Sequence, residues 1–290
     1  MTETVTQTVT QTLAIVTLTF REALRRRLIA AFAVITVGLV GISAWGFERL
    51  SHNSHLTSGE VQVSMPQSLI LFMFMFSFVV ALSASTMSSP AISAEVESGV
   101  LQAVVARPLR RSQVLLGKWL GLAAVLALYA AVVCALEFAV VYWVSGFVPP
   151  DPVAVGAYLF AEGMVLLTLA LLLSTRLSTL ATGVVAVALF GAAWLAGVVG
   201  ALGAGFDISA LRQVGSVARY VLPTDGLWHG AIYYLEPSSF VSHRLAQSVD
   251  VKGNPFFASA PPTWAYLVWA GVWLVVALAA ALVSFDRREL

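Results

Sequence analysis

The side chains capable of chemistry are few, and two of them stand where a charge is expensive. Glu137 and Glu162 lie inside long apolar runs. An ionised group at the bilayer centre costs about 2.5–3.5 kcal/mol on insertion scales, so such residues face a cavity or a partner. Both are therefore candidate substrate-path residues. The other reading is a protonated or hydrogen-bonded contact between helices, with Glu137 snorkelling toward the membrane surface. The four histidines, His52, His55, His229 and His243, all fall outside the apolar runs. His52 and His55 are three apart and could share a metal if helical, but no third ligand stands at matching spacing, so no metal site is expected. Gly117-Lys118 is not a phosphate-binding loop. Ser112 occupies the position that requires glycine, and Trp119 stands where Ser or Thr would be needed. The single cysteine, Cys134, excludes a disulfide framework and a thiolate metal cluster. With no histidine inside the apolar runs, converging nucleophiles or metal ligands for an intramembrane enzyme are not found.

The elements that position these residues follow from composition. Of 290 residues, 59% are apolar and 11% are charged, against a charged share of about 25% in soluble domains. Mean hydropathy is +0.88. A soluble fold needs charge to cover its surface, and this chain lacks it. The formal net charge of +1 points to no nucleic-acid partner. The start, Met1-Thr-Glu-Thr-Val, has no basic stretch leading directly into a short apolar core, so no cleaved signal peptide is expected. A membrane span needs about 20 apolar residues. Six segments qualify: 28–47, 69–87, 119–144, 153–173, 180–202 and 264–285. The expected fold is all-α, a polytopic membrane protein in one domain of six transmembrane helices, because lipid leaves an open sheet edge unsatisfied.

Orientation follows from the basic residues. Eleven of the sixteen fall on one side: Arg21, Arg25, Arg26, Arg27, Arg107, Arg110, Arg111, Lys118, Arg176, Arg287 and Arg288. The positive-inside rule then puts both termini in the cytoplasm. Trp264, Tyr266 and Trp269 fit an aromatic belt at the outer interface. Within 12–27, Leu13, Val16, Phe20 and Leu24 share a helical face, which predicts an interfacial helix before the first span. The long outer stretch 206–262 predicts further interfacial helices. One covers about Ile208 to Tyr220, and a second, capped by Thr224 or Asp225, passes through His229 to Tyr234. The glycines of the fifth span, Gly183, Gly191, Gly197, Gly200 and Gly203, permit close helix approach; a mobile dimer seam is their functional counterpart.

The cytoplasmic loop 90–112 is the most informative segment. Glu97, Leu101 and Val104 or Val105 share a helical stripe flanked by Glu95, Ser98 and Gln102. Such a short amphipathic helix can insert in a partner's groove, and Pro108 would end it. Arg107, Arg110 and Arg111 then sit at the membrane surface, as they would in any ordinary basic inner loop. In order along the chain, Glu95, Gly99, Leu101, Pro108, Arg110, Gly117 and Lys118 follow a pattern that resembles the permease subunits of type-2 ABC exporters. With the interfacial helix, six spans and large last outer loop, the resemblance covers nearly the whole chain.

The resemblance implies that Glu95, Glu97, Gly99, Leu101, Gln102, Arg107, Pro108, Arg110 and Arg111 couple the chain to a separate ABC ATPase subunit. Two ATPases per complex would carry the ATP and Mg, with no cofactor bound by this chain. Two permease copies, identical or paralogous, would form the path in the plasma (inner) membrane of a prokaryote. Alternating access would move an amphipathic or hydrophobic substrate. The competing readings are an intramembrane enzyme and a proton-coupled secondary transporter using Glu162. The latter predicts internal repeats with broken helices in corresponding halves, which the sequence does not display.

Overall fold

The computed structural model describes residues 2–25, 27–52, 58–97, 111–237 and 253–288. Among these residues there are ten helices and no strand, and six helices are long and apolar enough to cross a membrane. The first is α1 (Thr2–Arg25), followed by α2 (Arg27–Ser51) and α3 (Ser58–Ser88). Only Ser89 separates α3 from α4 (Pro90–Glu97), so the apolar stretch 64–97 is nearly continuous. Then come α5 (Arg111–Ser145), α6 (Pro152–Ser174) and α7 (Thr179–Gly205). Two short helices, α8 (Ser209–Val221) and α9 (Thr224–Leu235), precede α10 (Trp264–Asp286). The all-helical, six-span reading of the sequence holds.

Local chemistry explains the breaks. Gly146, at φ +70°, ends α5 in the left-handed region that favours glycine, and its N–H returns to the Tyr142 carbonyl. Asp151 caps α6 by accepting from the Ala154 N–H at 2.9 Å, with Pro152 in the first turn, where its missing donor costs nothing. Ser178 caps α7 and Thr263 caps α10 in the same way. The tight turn 175–178 joins α6 to α7.

The bundle has two ends. The basic rim carries the C-terminal part of α1, α4, the start of α5, the α6–α7 turn and the end of α10. The aromatic rim carries α8, α9 and the start of α10. α6 is the central helix: Leu159, Val165, Leu166, Leu167 and Leu171 are buried among α3, α5, α9 and α10. Toward the aromatic rim, Phe74 forms the hub of a ring cluster with Phe78, Trp194, Trp228 and Phe256, at centroid distances of 4.9–5.6 Å. Such pairs each add about 0.5–1.5 kcal/mol beyond their area.

α1 lies along α5 and presents to it Thr12, Ile15, Val16 and Thr19, while Leu13, Leu18 and Leu24 are exposed. The cause is Gly117-x-x-x-Gly121 on α5. A Cβ at Gly117 would sit 2.7 Å from Ile15 Cγ2, and one at Gly121 would sit 2.9 Å from the Val16 carbonyl oxygen. In an apolar solvent leucine gains nothing by turning inward, so close approach over small residues decides which face packs.

Candidate functional site

At the basic rim, α4 is tied down through side chains the sequence singled out. Glu95 forms an ion pair with Lys118 of α5, and Lys118 also donates to the Ala91 carbonyl. Lys118 is thus part of α5, which begins eight residues before the apolar run 119–144. Glu97 reaches the start of α7: its Oε1 accepts the Thr179 N–H at 3.0 Å and its Oε2 accepts the Thr179 hydroxyl at 3.3 Å. Ser93 and Thr179 share a 2.8 Å hydrogen bond beside it. The Glu97 carboxylate therefore acts as an acceptor for the first amide of a long helix, whose N-terminus attracts negative charge.

Arg111 donates through one nitrogen to the carbonyls of Phe285, Asp286 and Arg288, closing the C-terminal end of α10. Arg288 does the same for α6, donating to the carbonyls of Ser174 and Thr175. Both arrangements satisfy carbonyls that a helix end leaves unpaired. A cavity of about 180 Å³ lies under α1 and α4, with Glu22, Glu95 and Lys118 in its wall. Of the remaining coupling-loop residues, Gly99, Leu101, Gln102, Arg107, Pro108 and Arg110 lie outside the described residues.

The two intramembrane carboxyls are not in contact with one another; each joins a pair of helices. Glu137 (α5) is fully buried, and Ser43 (α2) donates to its Oε2 at 2.8 Å. It does not snorkel: with Phe47, Val133 and Val141 buried in the same apolar cluster, its side chain stays inside the bundle. Glu162 (α6) is 3% exposed and accepts from Ser77 (α3), also at 2.8 Å. Neither carboxyl lines the cavity under α4 or those at the aromatic rim.

The aromatic rim holds a cluster that the sequence did not single out. α8 folds back on α7 so closely that Gly200 and Gly215 meet backbone to backbone, a Cβ on Gly200 falling 2.8 Å from Gly215 Cα. Gly197 and Gly203 serve the same contact with α9 and α8, so these three glycines of the fifth span pack within the chain. The turn from α8 to α9 then brings Arg219 against Asp225: Nε and Nη2 both donate to Oδ2, at 3.0 and 2.9 Å. His229 donates from Nδ1 to the Asp225 carbonyl at 2.8 Å, and its Nδ1 stands 3.6 Å from Oδ2. Asp225 does not cap α9 as expected, because its carboxylate is spent on Arg219; Thr224 does not cap it either.

Tyr266, expected in the lipid-facing belt, is instead buried, and its hydroxyl donates to the Pro223 carbonyl at 3.0 Å. Trp269 and Trp273 donate to the last carbonyls of α8, Tyr220 and Val221, at 3.0 and 2.8 Å. The one sequence signal for this cluster is the four-residue spacing of Asp225 and His229, which places both on one helical face. His52 bonds within its own helix end, to the Glu48 carbonyl and Ser51; His55 and His243 lie outside the described residues. Among the described residues no three metal-ligating side chains converge.

Compared with known proteins, residues 13–290 match the model of a family described as "ABC-2 family transporter protein". A search of curated proteins gives no match.

Proposed function

The chain belongs to the ABC-2 transporter family, and from that premise we propose that this permease is the membrane half of an ATP-driven exporter. Two permease copies, the same or paralogous, line the path, and two separate ABC ATPase subunits bind ATP and Mg. The basic rim faces the cytoplasm of a prokaryotic cell, by the eleven-to-five division of basic residues, and both termini lie on that side. The observation that carries the reading is the match over residues 13–290 together with a short helix, α4, lodged at the basic rim between α3 and α7.

The coupling element is the loop 90–112. In it Glu95 and Glu97 have a part within the chain, through Lys118 and Thr179. Glu97 passes motion of α4 to the start of α7. Contact with the ATPase then falls mainly to the residues around Leu101, with Gly99, Gln102, Arg107, Pro108 and Arg110. Arg111, held against the end of α10, anchors the loop's return. Burying one leucine is worth about 1.5–3 kcal/mol before association costs. Glu137 and Glu162 stand near the path as helix contacts, and the substrate is amphipathic or hydrophobic.

The test is affinity purification of tagged permease in mild detergent from its native host. An ABC ATPase and vanadate-sensitive ATP hydrolysis should copurify. Leu101→Asp should remove both while the permease remains inserted and monodisperse. A full complement of ATPase on the Leu101→Asp permease, with normal transport, would refute the coupling role.

A further inference from the structure

The aromatic rim carries a second kind of site. Between α7, α8 and the segment before α10 lies a cavity of about 450 Å³, and Arg212, Ser216, Arg219 and His229 stand in its wall. A neighbouring cavity of about 390 Å³ shares Arg219, His229, Phe257 and Ser259 with it. Pro261, Pro262 and Tyr266 stand in the rest of its wall. The first volume falls within the range of small-molecule sites.

The charged side chains in these walls are cationic. Their counter-charges stand elsewhere: Asp225 is 5% exposed behind Arg219, and Asp207, at 88%, projects into solvent beyond Arg212. The Arg212–Asp207 pair at 3.1 Å is exposed and therefore weak, readily exchanged for a ligand oxygen. Arg219 engages Asp225 through Nε and Nη2, which fixes the guanidinium plane while its side chain stays 40% exposed toward the cavity. A guanidinium so held suits phosphate oxygens. The Nδ1–H bond of His229 to the Asp225 carbonyl leaves Nε2 as the ring nitrogen for a ligand hydroxyl. Gly197 makes room for the Asp225 carboxylate and Gly226 for the Tyr266 hydroxyl, so the cluster is held by close backbone packing rather than by loose surface contacts.

We propose that this double cavity binds a phosphate-ester amphiphile, with the phosphate between Arg212 and Arg219, a headgroup hydroxyl at His229, and the apolar part along Phe257 and Pro261–Pro262. The site holds whichever way the chain faces, and it does not depend on an ATPase. Its ligand chemistry is that of a lipid phosphate or of a soluble phosphate, and the experiment separates the two.

Purified full-length protein in a neutral detergent is titrated with dioctanoyl phosphatidylglycerol, dioctanoyl phosphatidylcholine and inorganic phosphate, with binding read by calorimetry. Phosphatidylglycerol should bind once per chain and at least tenfold more tightly than phosphatidylcholine. Arg212→Gln/Arg219→Gln should weaken it at least tenfold, and Ser216→Phe, which fills the first cavity, should do the same. Arg49→Gln, outside the cavity, should change nothing. Arg212→Gln alone alters only an exposed pair, so it keeps the test open if the double variant fails to fold; a loss of roughly threefold is expected. Inorganic phosphate binding as tightly as phosphatidylglycerol would assign the site to a soluble phosphate. Equal binding of the two lipids, or affinity untouched by Arg212→Gln and Ser216→Phe, would overturn the site.

Discussion

Replacing Glu97 separates two roles that the same carboxylate could play. In the structure it accepts the N–H and the hydroxyl of Thr179, the first residue of α7. Losing a charged acceptor at a helix N-terminus costs about 0.5–2 kcal/mol, of which the negative charge accounts for about 0.3–1 kcal/mol. Glu97→Gln keeps an acceptor and loses the charge, so it should lie at the low end, while Glu97→Ala should lose about 1–2 kcal/mol in all. That corresponds to roughly a 5- to 30-fold rise in opening of the first turn of α7. Hydrogen exchange by mass spectrometry reads this directly. Amides 179–182 should exchange 5- to 30-fold faster in Glu97→Ala, with Glu97→Gln between it and the parent, and amides of α8 should not change. If exchange at 179–182 is unaltered while ATPase copurification falls, Glu97 is a contact to the partner and its hydrogen bonds to Thr179 carry no mechanical role.

The two buried glutamates should respond differently to loss of their carboxyls. Glu137→Leu removes an Oε1 that is buried without a partner, and Ser43 keeps its bond to the Val40 carbonyl; thermal stability in detergent should hold or rise, and a drop above about 5 °C would contradict this. Glu162→Leu strips Ser77 of its 2.8 Å acceptor and should cost about 1–3 kcal/mol, and a Ser77→Ala/Glu162→Gln double-mutant cycle should show a coupling of about 0.6–1.7 kcal/mol. Gly121→Leu should lift α1 from α5, because the added Cβ alone meets the Val16 carbonyl oxygen at 2.9 Å; a Thr19→Cys label would then change from protected to reactive, and continued protection would contradict the groove. For orientation, Ser259→Cys should react with an impermeant thiol reagent in intact cells and Arg176→Cys should not, and Cys134, buried in the bundle, gives no background; the reverse pattern would invert the topology.

The spans were legible because apolar runs of membrane length have few alternatives in a chain this poor in charge. Their ends were not. α5 begins at Arg111, well before its apolar run, because Lys118 is neutralised by Glu95 and Arg111 finds carbonyls at the end of α10. A hydropathy window registers those residues as loop. The face of α1 that packs on α5 is not legible in α1 itself, because a Gly-x-x-x-Gly groove on another helix selects Ile15 and Thr19. The Arg219–Asp225–His229 cluster depends on the angle between α8 and α9, which is fixed by Gly200 against Gly215 and by Tyr266 beneath the turn. No spacing along the chain encodes that angle.

The Ser–Glu pairs have a consequence for biosynthesis. Chains are made from the N-terminus, and earlier elements are in place before later ones emerge. In both pairs the serine comes first: Ser43 precedes Glu137, and Ser77 precedes Glu162. Each acidic helix therefore enters the bilayer after the helix that will receive its carboxyl, and the insertion penalty of a lone acid is met by a waiting hydroxyl. Moving the acid to the earlier helix and the serine to the later one would preserve the finished contact and reverse this order, so that the acid would reach the lipid before its partner exists.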